Sequence, residues 1–75
     1  MHVNIIAFGQ IADITGSELT LDVHDTGSLV EMLNEQFPEL HKKKFTIAVN
    51  RQVVTVNTPL THNDTVALMP PFSGG

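Results

Sequence analysis

The chain contains no cysteine, tryptophan or tyrosine, and only four of its 75 residues are lysine or arginine. Without cysteine there is no disulfide framework, no thiolate metal site and no cysteine nucleophile. Eight acidic residues against four basic ones give a formal net charge of −4. This balance argues against nucleic acid as a partner, because binding to phosphates depends on lysine and arginine.

Long apolar runs and a charged leader are also lacking. No stretch approaches the roughly 20 apolar residues that a membrane-spanning helix needs, and the start of the chain does not resemble a signal peptide. We therefore expect a cytoplasmic protein that does not contact a membrane. Its length predicts a single domain over residues 1–70, followed by an extended tail over residues 71–75.

Apolar residues that alternate with polar ones, or that are β-branched, predict about five strands. These lie at residues 2–8, 17–24, 45–50, 52–56 and 65–69. A short helical turn at residues 10–15 is expected to join the first two strands. Residues 40–44 are interpreted as a polar connection.

One longer helix is predicted between the second and third strands. Leu29, Leu33 and Phe37 recur at spacings of four, which is typical of an amphipathic helix. Asp25 or Thr26 suits its N-cap, and Pro38 should end it. Because a sheet must bury its apolar face against another layer, the element order predicts an α+β fold. We expect a β-grasp, or ubiquitin-like, mixed sheet covered on one face by this helix, with the first and last strands as parallel central neighbours.

The end of the chain is the most distinctive stretch of the sequence. Pro70 and Pro71 restrict the backbone and remove two hydrogen-bond donors, so the chain should leave the body extended. Phe72 follows, and then Ser73, Gly74 and Gly75 add almost no side-chain volume, as suits entry into a narrow channel. A frayed terminus is the alternative. We favour a functional tail because a rigid stem directly precedes the glycines.

Strand alternation also predicts an apolar surface on the uncovered face of the sheet. The residues placed there are Ile6, Phe8, Ala48, Ala67 and Met69. Apolar groups on an open face beside a projecting terminus indicate a partner-binding surface. The alternative is that Phe8 and Met69 pack on each other and on the proline stem.

An internal active site finds little support in the sequence. Four histidines, at positions 2, 24, 41 and 62, fall on separate elements, and the acidic residues fall in turns, caps and the outer helix face. We predict no metal and no bound cofactor. Lys42, Lys43 and Lys44 could form an anion site, but we favour the simpler interpretation that they complement the negative end of the preceding helix. The remaining candidate for a reactive group is the carboxylate of Gly75. A carboxylate is a poor electrophile until another protein activates it, for example by adenylation with ATP.

Segments spread over nearly the whole chain resemble a known family, the sulfur-carrier small subunit of molybdopterin synthase, of MoaD/ThiS type. The resemblance is carried by Phe8-Gly9-Gln10, Phe37-Pro38-Glu39-Leu40, Ile47-Ala48-Val49-Asn50, Pro59-Leu60, Asp64-Thr65-Val66-Ala67-Leu68 and the ending Pro70-Pro71-Phe72-Ser73-Gly74-Gly75. The Pro-Pro stem is its most specific part, because thiazole-pathway carriers and ubiquitin-like modifiers share Gly-Gly but usually lack that stem. Where the family commonly has Gly-Asp before the last strand, this chain has Asn63-Asp64. Asparagine also tolerates the left-handed conformation, so the turn should be kept.

The resemblance implies a β-grasp protein that is not catalytic alone. Gly75 would be adenylated by a ubiquitin-activating-like enzyme that consumes ATP, and then converted to a thiocarboxylate by a sulfur-donor protein. Gly74 would lie in the channel of the large synthase subunit, where sulfur passes to a pyranopterin precursor. Phe8, Met69 and the tail from Pro70 would contact that partner. A thiazole-pathway carrier, a ubiquitin-like modifier and an inert interaction module remain alternatives.

Overall fold

The alternating segments build one five-stranded sheet in the computed structural model, which describes residues 2–71. The strands are β1 (His2–Ala7), β2 (Glu18–Asp22), β3 (Thr46–Val49), β4 (Gln52–Val54) and β5 (Thr65–Met69). Their order across the sheet is β2-β1-β5-β3-β4. β1 and β5 run parallel, and the other neighbours run antiparallel. The predicted parallel pairing of the first and last strands is therefore confirmed.

The main helix, α2 (Thr26–Gln36), begins where the sequence predicts it. Asp25 is its N-cap: the Ser28 N–H donates to Asp25 Oδ1 at 2.7 Å, and the Asp25 N–H donates back to Ser28 Oγ at 3.3 Å. This reciprocal pair satisfies donors that the first turn leaves open. Leu29 and Leu33 lie on the buried face, each 0% exposed. A shorter helix, α1 (Gly9–Thr15), follows β1 directly.

The interpretation of residues 40–44 as a polar connection is wrong over its first part. After α2 ends, residues Pro38–Lys42 form a short 3₁₀ helix, and Leu40 within it is 1% exposed. Proline suits the first turn of a new helix because the amide hydrogen that it lacks has no partner there. Burial of the Leu40 side chain anchors this turn to the core.

The core lies between α2 and one face of the sheet. β1 shows the two-residue period directly, since Val3, Ile5 and Ala7 are buried and the residues between them are exposed or half-buried. The members of the core exposed by 1% or less are Val3, Ile5, Ile11, Leu29, Leu33, Leu40, Val66 and Leu68. Full burial of such aliphatic side chains stabilises by about 1.5–3 kcal/mol each.

Two turns at one end of the sheet are tied together by side chains. Asn50 Nδ2 donates to Asp64 Oδ1 at 2.9 Å, and Asp64 Oδ2 accepts from the Thr61 N–H at 2.8 Å. Asn63 has φ 71°, so this asparagine adopts the left-handed conformation that the sequence analysis expects of it.

The whole arrangement is an α+β fold of the β-grasp type. No helix within residues 2–71 is long and apolar enough to cross a membrane. Every buried side-chain nitrogen or oxygen in the same range has a hydrogen-bond partner.

Candidate functional site

The end of β5 and the end of β1 meet where the tail leaves the sheet. Because the two strands are parallel, Leu68 lies beside Ala7. The Phe8 N–H donates to the carbonyl oxygen of Leu68 at 3.0 Å and closes the ladder. β1 then turns into α1, while β5 continues into Pro70 and Pro71, both exposed and outside the sheet. The prolines therefore end the strand, as predicted.

Gly9 and Pro70 are packed closely at this exit. Gly9 has φ +58°, and a Cβ added to it would lie 2.8 Å from Cγ of Pro70. A contact that short is not available to a real side chain, and the positive φ also favours glycine. The absence of a side chain at Gly9 therefore lets the ring of Pro70 lie against the β1–α1 turn, which restrains the residue that leads into the tail.

Phe8 stands beside this contact and is unusually exposed. Its side chain is 49% exposed, whereas Met69 is half-buried. If Phe8 and Met69 served only to pack on each other and on the stem, Phe8 would be largely covered. The exposure of Phe8 instead favours the first interpretation, in which Phe8 lies on a surface open to a partner. We refer to Phe8, Met69, Pro70 and Pro71 as the exit surface.

An apolar row crosses the open face next to the exit surface. The strand register places Ile6 beside Ala67, Ala67 beside Ala48, and Ala48 beside Val53. Val53 at the end of the row is 57% exposed, whereas Ala48 in its middle is only 5% exposed. The two central alanines are small, so the row forms a low, flat strip. Sequence parity predicted these positions, apart from Val53.

Most of the predicted tail lies outside the described residues. Phe72, Ser73, Gly74 and Gly75, which include the predicted sulfur-bearing residue and its channel neighbour, lie outside the described residues. Of the predicted site, the structure brings Phe8, Met69 and Pro70 to one corner of the sheet. Gly9 lies at the same corner, although the sequence analysis did not include it in the site. Its position as an isolated glycine directly after the first strand was the signal that could have suggested a close contact there.

Two carboxylates, those of Asp25 and Asp64, have structural partners. The Ser28 N–H holds the pKa of Asp25 below its ordinary value, helped by the Ser28 hydroxyl and Asn57. The Thr61 N–H does the same for the pKa of Asp64, together with the Asn50 side chain. Both groups brace loops, as their predicted place in caps and turns implies. They lie on elements away from the exit surface.

Two histidines that the sequence treated as separate are brought together. The His2 N–H donates to Nδ1 of His62 at 3.2 Å, and the ring centroids lie 6.1 Å apart. Within residues 2–71, no group of three or more histidine or acidic side chains could hold a metal ion. The pair therefore joins the start of β1 to the turn before β5.

Comparison with known proteins gives a consistent result over nearly the full length of the chain. The model of the ThiS family matches residues 5–75. The molybdopterin synthase sulfur carrier subunit of Mycobacterium tuberculosis is 30% identical over 82 residues, and the match covers 100% of this chain and 99% of that protein.

Solved structures share the fold. A chain in the structure of the complex of subunits 1 and 2 of molybdopterin-converting factor from Helicobacter pylori is 28% identical to this one. The TM-score is 0.77, and the match covers 100% of both chains. The small archaeal modifier protein 1 of Methanosarcina acetivorans is 21% identical with a TM-score of 0.82, covering 99% of this chain and 96% of that one. At that lower identity the likeness concerns the fold alone.

Proposed function

The chain belongs to the ThiS family, and from this premise we propose that it is the sulfur-carrier subunit of a molybdopterin synthase. The observation that carries the proposal is the similarity to a molybdopterin synthase sulfur carrier subunit over 100% of this chain and 99% of the relative. The family match also extends through Gly75, so it includes the segment in which the chemistry is proposed.

The proposed chemistry takes place at the carboxylate of Gly75. An activating enzyme transfers AMP from ATP to this carboxylate and releases pyrophosphate, and the acyl-adenylate so formed has an electrophilic carbonyl carbon. A sulfur-donor protein then supplies sulfur at the oxidation level of sulfide, whose attack on that carbon displaces AMP and leaves a thiocarboxylate. The absence of cysteine from the chain is consistent with these two reaction steps, because no thiol of the carrier itself competes for the acyl group.

The large subunit is the proposed acceptor of the tail. The complex of subunits 1 and 2 known for the Helicobacter pylori protein supports a partner of this kind. Phe8, 49% exposed, and the adjacent apolar row would be covered in such a complex. Burial of exposed apolar surface stabilises association. Phe72, Ser73 and Gly74 would then follow Pro71 into the large subunit, which supplies the groups that transfer sulfur to the pyranopterin precursor.

The Gly9–Pro70 contact has a defined part in this proposal. A tail that leaves the body in one direction loses less conformational freedom on entering a channel than one that swings freely. Proline at position 70 restricts the backbone, and the ring lies against the β1–α1 turn. The contact would thus present the tail toward the same side as Phe8.

The test is the intact mass of the protein after incubation with ATP, the activating enzyme and the sulfur donor of its host. We expect the mass change for exchange of one oxygen for sulfur, mapped to the C-terminal peptide. Addition of precursor and large subunit should then return the carrier to its original mass and yield the dithiolene product. An unchanged mass with demonstrably active enzymes would contradict the proposal.

The same experiment separates the alternatives. Sulfur acquired at Gly75 but donated only in thiazole synthesis would identify a carrier for that pathway. Adducts that join the chain to lysines of other proteins would identify a modifier, an activity named for the Methanosarcina acetivorans structure of the same fold. An inert interaction module would gain neither sulfur nor adducts.

A further inference from the structure

Three of the four basic residues of this acidic chain stand together near the exit of the tail. Lys42, Lys43 and Lys44 are consecutive, and all three are exposed. We refer to them as the basic rim. The chain carries a net charge of −4, so the basic rim is a positively charged patch on a negatively charged protein.

The strand pairing and one hydrogen bond place the basic rim beside the exit. Met69 pairs with Thr46 in the antiparallel β3–β5 ladder, so β3 begins at the end of the ladder where β5 leads into Pro70, and Lys44 lies two residues before that start. Lys43 Nζ donates to Oε1 of Gln10 at 3.3 Å. Gln10 directly follows Gly9, the residue against which the ring of Pro70 packs.

Nothing in the described body requires three positive charges at this place. Among residues 2–71, the only side chains within ion-pair distance are those of His24 and Asp25, so none of the lysines lies at that distance from a carboxylate there. A helix end attracts cations only within its last turn. That effect covers Lys42, the last residue of the five-residue 3₁₀ helix, but Lys44 lies beyond it. Three adjacent like charges also repel one another.

The reach of the tail limits what the basic rim can contact. Residues 72–75 span at most about 14 Å when extended, farther than a lysine side chain reaches. If the tail enters a channel, lysines at its base face the surface around the entrance and not the reacting terminus. An anionic group contacted by these lysines would therefore belong to the receiving protein, and neither to a nucleotide nor to a pterin at the end of the tail.

We infer that the basic rim docks against an acidic surface surrounding the channel entrance of the large subunit. This inference rests on the proposed function and adds a charge-specific contact to it. The contact steers the tail toward the entrance, since opposite charges raise association rates at low ionic strength. It also opposes the repulsion that an acidic partner surface would otherwise exert on an acidic carrier.

The experiment measures association of the full chain with the large subunit of its host by stopped-flow mixing over a range of salt concentrations. The triple variant Lys42→Gln, Lys43→Gln, Lys44→Gln should associate about tenfold more slowly at low salt and show a weaker salt dependence. Lys44→Gln alone should have a smaller effect in the same direction. Circular dichroism and thermal melting should match the wild type, because the three side chains are exposed.

A matched control separates the basic rim from net charge. Gln52→Glu removes one positive unit from the net charge, as Lys44→Gln does, but at an exposed position on the edge strand β4. Its association rate should stay within about twofold of wild type. An equal slowing by Gln52→Glu and Lys44→Gln would overturn the inference, because the effect would then follow total charge.

An unchanged rate and salt dependence for the triple variant would also overturn it. Deletion of Gly75, assayed for sulfur transfer in parallel, distinguishes that failure from failure of the proposed function. Loss of transfer on deletion together with normal association of the triple variant refutes the basic rim alone. Sulfur transfer that survives the deletion refutes the carrier function itself.

Discussion

The two faces of the sheet carry apolar residues from the same strands but differ in what covers them. Ile5 is 1% exposed under α2, whereas its neighbour Ile6 is half-buried on the other face. In β5, Leu68 is 0% exposed and Met69, one residue later, is half-buried. One helix can cover only one face. The covered face is therefore expected to determine stability, and the open face with the exit surface to determine association.

Deletion of Gly75 should separate function from stability more clearly than any other change. We expect sulfur transfer to be abolished, because the reacting carboxylate would move to a different position along the channel. The melting temperature should not change, since the core consists of residues from the strands, the helices and the loops of the body. Thermal melting and single-turnover transfer assays check the two halves. Normal turnover by the truncated chain would contradict this prediction.

Adjacent residues of β5 test the two faces directly. Leu68→Ala should lower the free energy of unfolding by about 2–5 kcal/mol, since it opens a cavity in the core. Met69→Ala should cost about 1 kcal/mol or less in stability, because the Met69 side chain is only half-buried, but it should weaken binding to the large subunit. Urea unfolding and calorimetric titration give the two quantities. Equal destabilisation by both variants would show that the open face also supports the fold.

Substitution of Phe8 tests the exit surface, because it can place a charge there with little change in the free energy of unfolding. Phe8→Asp should weaken binding to the large subunit by about tenfold or more, because a carboxylate would be buried against an apolar surface. Phe8→Leu, which stays apolar, is the matched control and should retain most of the affinity. Titration with the large subunit provides the measurement. Unchanged affinity of the aspartate variant would remove Phe8 from the interface.

Gly9 links the exit surface to the covered body. Gly9→Ala should destabilise the fold by about 1–2 kcal/mol, because φ is positive there and the new Cβ would meet Pro70. The double variant Gly9→Ala, Pro70→Ala should recover the steric part of that loss. Urea unfolding of the single and double variants forms the cycle. Strict additivity would show that the two residues do not interact.

Acid should affect the body through two loops remote from the exit surface. Hydrogen bonds from the Ser28 N–H and the Thr61 N–H lower the pKa of Asp25 and of Asp64, respectively, from an ordinary value of 3.8. A lowered pKa in the folded state means that the stabilisation is present above pH 3.8 and is lost as the pH falls through the folded values.

Thermal melting between neutral pH and about pH 2 checks this smallest effect. Asp25→Asn should flatten the acid limb of the curve, because it removes one of the carboxyl groups whose pKa is lowered in the folded state. Glu31→Gln, at an exposed position of α2, controls for the loss of one negative charge. An unchanged acid limb in the Asp25 variant would show that the cap does not contribute.

Local patterns explain the part of the fold that the sequence predicts. A period of two residues identifies each strand, a spacing of four identifies α2, and Asp25 marks its start, because each signal lies within a few neighbouring residues. The Pro70-Pro71 stem ends β5 for the same reason. The first part of residues 40–44 was misjudged, since the polar character of the segment concealed one buried residue, Leu40.

The sequence by itself determined the strands, the main helix, the faces of the sheet and the end of β5 at the proline stem, because backbone geometry and hydrophobic periodicity act over short separations. Only the tertiary structure decided which distant residues meet. His2 and His62 are 60 positions apart, and Asn57 bonds to Gly27 across 30. The packing of Pro70 on Gly9 and the position of the basic rim likewise depend on strand register, which brings together residues with no common local pattern.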